Sequence, residues 1–242
     1  MTGSTNLFWY CFVAVQFFGC VYLLSSRLAK VYPIFTLYLG AAVASCLGAV
    51  YFMRGAQGPL LPLAYTYYWL WVEPVLLLLQ AGVALEIHTQ LWKQHASLAR
   101  PAQPLLVFSL LTAIVFAAVP LLGELRRYET TRLLAVMHFE MLVIRYVSSV
   151  LAIFLVLSAV LFFFAIRNSF KTLLFRHEGM LAVHFSIYAI VYLLINIGWT
   201  NADLANKYML SAFTLCLVIW ISAFKPHQSL AGKPAEPSPT GF

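Results

Sequence analysis

LVIRYVSSVLAIFLVLSAVLFFFAI, residues 142–166, carries a single charge, Arg145, near its start and is otherwise apolar apart from Tyr146 and three serines. A helix that crosses a bilayer needs about 20 apolar residues, and from Arg145 to Arg167 the rise is about 33 Å, close to the ~30 Å hydrocarbon thickness. This stretch predicts a membrane span. Six further apolar runs bounded by charge flank it, at 7–26, 33–53, 62–88, 104–122, 180–199 and 208–224. Together they predict an all-α, polytopic bundle of seven transmembrane helices over residues 1–224, with 225–242 as a disordered cytoplasmic tail. Six spans is the alternative count, because the last run is only just long enough. Pro33, Pro62 and Pro104 fall at helix starts, where a missing N–H costs little, whereas Pro74 and Pro120 lie inside runs and should kink or end them.

Composition supports this solvent. Of 242 residues, 62% are hydrophobic and only 10% charged, against roughly 25% charged in a soluble domain. So little polar surface cannot coat a water-soluble globule, which sets aside a soluble enzyme, a secreted disulfide scaffold and a disordered chain. Seven spans with short loops leave no room for a second, soluble domain, and no cleavable signal peptide is expected.

Sorted onto alternate sides, Arg27, Lys30, Lys93, Arg100, Arg167, Lys171, Arg176, Lys225 and Lys233 share one face. Arg54, Arg126, Arg127, Arg132 and Lys207 share the other. The positive-inside rule then puts the N-terminus outside and the C-terminus in the cytoplasm, as a multi-pass protein of the cell inner membrane. The formal net charge of +7 is mostly topological, and no nucleic-acid partner is expected.

Familiar chemistry is missing. Cys11, Cys20, Cys46 and Cys216 lie in apolar runs without a C-x-x-C pattern and read as small core residues. The histidines form no H-x-x-x-H or H-E-x-x-H pair, so no metal is assigned. His88 and His184 could face one another near one membrane depth, but no haem or other cofactor is assigned on that basis. A retinal protein needs a lysine in mid-span, and Lys207 sits at the end of the last run. No catalytic residue is named and no enzymatic activity is expected; an enzyme acting on lipid would have to use Glu73, His138 or Glu140 as acid or base.

Polar residues that remain inside a bilayer are costly and mark the interior of a bundle. In the third run Thr66, Trp69, Glu73, Leu77, Gln80, Ala84 and His88 follow a three-four rhythm, which puts Glu73, Gln80 and His88 on one face with Glu86 nearly opposite. The sixth run repeats the pattern with His184, Tyr188, Tyr192 and Asn196. Glu73 lies about 22 Å above His88, within reach of a snorkelling Arg145, so a Glu73–Arg145 pair is expected in the outer half. Asn196 belongs to the same outer layer with Tyr68 above it, and His184 should meet His88 or Glu86 near the inner face. Each residue also has a structural explanation: aromatic residues at helix ends form interfacial belts, a buried ion pair can fix register, and Gly40, Ala44 and Gly48 make a small-residue packing face.

The elements Tyr32-Pro33-x-Phe35-x-x-Tyr38, Tyr65-x-Tyr67-Tyr68-Trp69 followed by Glu73, then Glu86, Arg145, Tyr208 and Trp220 resemble a group of uncharacterised seven-helix membrane proteins of soil bacteria. That resemblance covers most of the chain; it implies the seven-span layout and no assigned activity. The sequence points first to a receptor-like or sensory bundle surrounded by membrane lipids. It would bind a small or lipidic molecule in its outer half, at Glu73, Arg145, Asn196, Gln80, Tyr68, His184, Tyr188 and Tyr192, and act through a membrane or cytoplasmic protein partner. A small-molecule transporter or channel subunit is the alternative, and a structural or assembly subunit of a membrane complex the next.

Overall fold

The computed structural model describes residues 3–55, 61–92, 102–127, 132–165, 173–198 and 202–223. Among them the chain is helical without a strand: α1 (Gly3–Ser25), α2 (Pro33–Gly55), α3 (Leu61–Leu91), α4 (Ala102–Arg127), α5 (Arg132–Ala165), α6 (Leu173–Asn196) and α7 (Ala202–Ala223), with a 3-10 turn at Leu28–Lys30. Five helices hold segments long and apolar enough to cross a membrane: Leu7–Ser25, Pro33–Tyr51, Ala64–Leu91, Val136–Phe164 and His177–Ile195. The apolar parts of α4 and α7, Gln103–Val119 and Lys207–Ser222, are shorter. The proposed tail at 225–242, His95, His227 and most of the loop lysines and arginines lie outside the described residues.

Local chemistry sets the boundaries. Pro33, Pro62 and Pro104 occupy first turns as expected. Pro74 and Pro120, expected to kink or end their runs, end neither α3 nor α4. Gly198, at φ +73°, takes the left-handed conformation that closes a helix, with its N–H on the Ile195 carbonyl. α6 begins at Leu173, seven residues before the apolar run, and so carries Arg176, His177 and Glu178 into the helix.

The distribution of surfaces is inverted relative to a soluble protein. Phe164, Trp71, Tyr51, Leu78 and Phe18 are highly exposed, while Gln16, Gln80, His88, Ser148, Ser158, His177 and Glu178 are buried. Lipid is the solvent that rewards this arrangement, because backbone and side-chain polar groups there must be satisfied within the protein. Cys46 and Cys216 are buried as expected, but Cys11 faces outward and Cys20 is only half-buried.

α3 is the central helix and packs on α2, α5 and α6; α1 joins α2 to α7, α7 returns to α6, and α4 lies outside against α5. Phe35, Leu39, Ile87, Leu151, Leu155 and Phe185 fill the buried core between them. One antiparallel seam sets the register of α2 on α3. At its first end the Glu86 carboxylate accepts from the N–H groups of Ile34 and Phe35, both at 3.0 Å. In the middle Gln80 Nε2 donates to Tyr38 Oη at 3.1 Å, and at the far end Tyr68 Oη donates to the Ser45 carbonyl at 2.6 Å. Glycine permits the approach at both ends. A Cβ on Gly48 would collide with the Tyr68 ring, and one on Gly82 would press on Ile34.

Glu86 matters most, since the first N–H groups of a helix have no intrahelical acceptor and carry the positive end of its dipole. Glu86→Ala should lower unfolding stability by about 1–3 kcal/mol, and Glu86→Gln by less because an acceptor oxygen remains. Thermal unfolding of the purified variants in mild detergent checks the order; equal stability of Glu86→Ala and the parent chain would contradict the cap.

Candidate functional site

Each helix of the α1, α2, α3, α6 and α7 ring turns one face toward a common cavity of about 560 Å³. On α3 the lining residues Tyr65, Trp69, Glu73, Leu76 and Gln80 recur every three or four positions, and α1 follows with Trp9, Phe12 and Gln16. α2 contributes Tyr38, Ala42, Ser45 and Cys46; α6 adds Tyr188 and Tyr192; α7 adds Met209, Leu210 and Phe213. Most of these lie toward the end of the bundle where α1 begins, here termed the N-terminal end, and Tyr38 and Gln80 lie just past mid-bundle. From Tyr65 to Gln80 the cavity follows α3 for about 22 Å, and it reaches the surface at exposed Tyr10.

Its floor is well ordered chemically. Gln80 is tied to Tyr38 and lies within hydrogen-bonding reach of Tyr188. Tyr188 stacks on Phe213 at 4.4 Å between ring centroids, and His184 packs against both, 4.3 Å from Phe213 and 5.3 Å from Tyr188. Tyr188 and Tyr192 lie parallel, 3° between planes, with centroids 6.0 Å apart. Glu73 projects among these rings, within electrostatic reach of Tyr38, Tyr188 and Tyr192. Among the described residues its carboxylate accepts no hydrogen bond and pairs with no base.

Four of the eight residues singled out from the sequence therefore line the cavity: Glu73, Gln80, Tyr188 and Tyr192. Tyr68 instead belongs to the α2–α3 seam. Asn196 closes α6, and its side chain lies outside the described residues. His184 meets neither His88 nor Glu86, because α6 turns it toward Phe213 and Tyr188. Arg145 is not in the cavity and forms no ion pair with Glu73; its guanidinium lies 5.1 Å from the ring centroid of Tyr146. The reason is azimuth rather than depth. α5 presents Val143, Ile144 and Val147 to Leu70, Pro74 and Leu77 of α3, so apolar faces meet and Arg145 and Glu73 project elsewhere. Glu140 borders that apolar groove, with one carboxylate oxygen buried and no hydrogen-bond partner among the described residues.

A second polar group, at the opposite end, escaped the sequence reading. Ser158 Oγ of α5 receives Trp92 Nε1 at 2.9 Å and lies 2.8 Å from His88 Nδ1. Glu178 of α6, fully buried, approaches His88 Nδ1 at 3.8 Å. Trp220 Nε1 of α7 donates to His177 Nδ1 at 2.6 Å, and the Tyr32 ring packs edge-on against His177. These contacts join α3, α5, α6 and α7 in their lower half. The signal was present: His177 stands seven residues before His184 and extends the same helical stripe by two turns, hidden by the charged run that seemed to precede the helix. No group of three or more His, Cys, Asp or Glu among the described residues is placed to hold a metal ion.

Two stability measurements follow from this geometry. Ser158→Ala should lose about 1–3 kcal/mol by stranding the Trp92 and His88 ring nitrogens. A double-mutant cycle on Glu73→Gln and Arg145→Gln should give a coupling energy under about 0.5 kcal/mol, as for residues that do not touch; coupling above about 1 kcal/mol would mean the pair exists. Comparison of the chain with models of known protein families, with curated proteins and with solved structures gives no match.

Proposed function

We propose that the chain is a seven-span integral protein of the cell inner membrane, N-terminus outside, that binds a small amphiphilic molecule in its outer half and signals occupancy to a partner protein. Two features support seven spans. α7 is packed between α1 and α6 as a full member of the ring, and the apolar part of α4 runs alongside α5 over Gln103–Val119.

The observation that carries the binding role is the cavity's one-sided depth. It runs from the N-terminal end to just past mid-bundle, where the Gln80–Tyr38 hydrogen bond and the Tyr188–Phe213–His184 layer form its floor. Below that, Phe35 stacks on Trp220 at 4.2 Å and Phe185 is fully buried. A volume of about 560 Å³ falls in the range of small-molecule sites, roughly 300–1,000 Å³. A closed floor suits a receptor better than a conduit. The aromatic contacts of the floor join α6 to α7, so a ligand pressing on Tyr188 or Phe213 acts directly on the helices that carry His177 and Trp220 at the other end. No enzymatic chemistry is proposed.

Binding and flux separate this reading from transport. Purified protein in lipid nanodiscs, extracted without exhaustive delipidation, should show a bound small molecule by native mass spectrometry, and Ala42→Phe, which fills the cavity, should lose it. Proteoliposomes should bind that molecule without accumulating it; saturable uptake into the lumen would favour the transporter instead.

A further inference from the structure

The chemistry of the cavity wall narrows the class of ligand. Among the described residues nine aromatic side chains line it, including Trp69, Tyr38, Tyr188 and Tyr192, around a single acidic group, Glu73. No lysine, arginine or histidine among the described residues lines it. Aromatic residues near a helix end could belong to the interfacial belt, but Tyr38, Tyr188, Tyr192 and Phe213 lie deep in the bundle and face one another across it. Their rings are held in place: Tyr38 by Gln80, Tyr188 between Phe213 and Tyr192. The faces of such rings carry negative potential and attract a cation, most strongly where water is excluded. A carboxylate in the same wall adds the matching charge.

Glu73 is the carboxylate that faces the cavity; Glu140 at the α3–α5 groove and Glu178 beside His88 also have oxygens without a hydrogen-bond partner among the described residues. A carboxylate inside a bilayer ordinarily pairs with a base or is fully hydrogen-bonded, as Glu86 is by two backbone N–H groups. Glu73 has neither kind of partner among the described residues, and Arg145 turns to Tyr146. A positive group in the cavity would supply the partner that the described residues do not. An anionic ligand would meet Glu73 without any compensating base, and a purely apolar one would leave the carboxylate buried against hydrocarbon.

We propose that the cavity binds an organic cation, an amine or quaternary ammonium bearing an apolar group, with the charge held by Glu73 and the rings of Tyr188 and Tyr192. This rests on the cavity being a ligand site and specifies what the site takes. The charged head would lie between α3 and α6, and the apolar part would extend toward Trp9, Tyr65 and Trp69 at the mouth.

The test uses the full chain in a maltoside detergent, which has no cationic headgroup, and follows tryptophan fluorescence, since Trp9 and Trp69 border the cavity. The probes are benzyltrimethylammonium, its neutral carbon isostere neopentylbenzene, and benzenesulfonate. Benzyltrimethylammonium should saturate, the isostere should bind about tenfold more weakly, and the sulfonate should not bind. Glu73→Gln should weaken the cation about tenfold while leaving the isostere unchanged, which also shows that the variant is folded. Tyr192→Leu should weaken the cation severalfold and serves in place of Glu73→Gln if that variant does not fold. An isostere that binds as tightly as the cation, or a cation affinity unchanged by Glu73→Gln, would overturn the cation assignment and leave the ligand site standing. No response to any of the three probes would overturn both.

Discussion

The hydrogen bonds along the α2–α3 seam fix the orientation of α3, and most of the remaining geometry depends on it. Glu86 on the first amides of α2, Gln80 on Tyr38 and Tyr68 on the Ser45 carbonyl are distributed over about 27 Å of helix. A small rotation of α3 would break all three, and none of these groups could turn to water in the membrane interior. With that side of α3 committed to α2, its Leu70, Pro74 and Leu77 face falls against α5, and Glu73 is left looking into the ring of aromatic residues. The placement of the acid is thus a consequence of the seam.

The same constraint divides the bundle into two unlike halves. At the end where α1 begins, aromatic side chains stand apart around a cavity. At the other end the interior is filled by stacked rings and by polar contacts among Trp92, Ser158, His88, Glu178, His177 and Trp220. These contacts link four helices through groups that cost free energy if left alone, which makes the lower half specific in its packing. A rigid lower half beneath a cavity is a suitable base for passing a ligand's effect to the opposite face, because a shift of Phe213 or Tyr188 moves helices whose far ends are tied together.

Much of the layout was legible in the sequence because the bilayer imposes it. Apolar runs predict the helices and the three-four rhythm their polar faces, and Glu73, Gln80, Tyr188 and Tyr192 of those faces line the cavity. What a single sequence does not contain is the angle at which one helix faces another. Arg145 and Glu73 were expected to pair yet point apart, because α3 and α5 face one another through their apolar residues. His184 has the right spacing to be interior, but which neighbour it meets depends on the rotation of α6 against α7. His177 and Glu178 were hidden for a different reason: charge next to an apolar run ordinarily marks the water boundary, whereas here the helix continues and takes both residues into the protein.

The central claim is a cavity reachable from one side of the membrane and closed beneath Gln80 and Tyr38. Cys46 lines that cavity and is a free thiol, so it can report the claim directly once Cys11, Cys20 and Cys216 are replaced by alanine. Its rate of modification by a small, membrane-impermeant methanethiosulfonate should be measured in right-side-out and in inverted vesicles. Modification should occur only when the reagent is on the side where α1 begins, and a molecule that occupies the cavity should slow it. Equal modification from both sides, or none from either, would contradict the account.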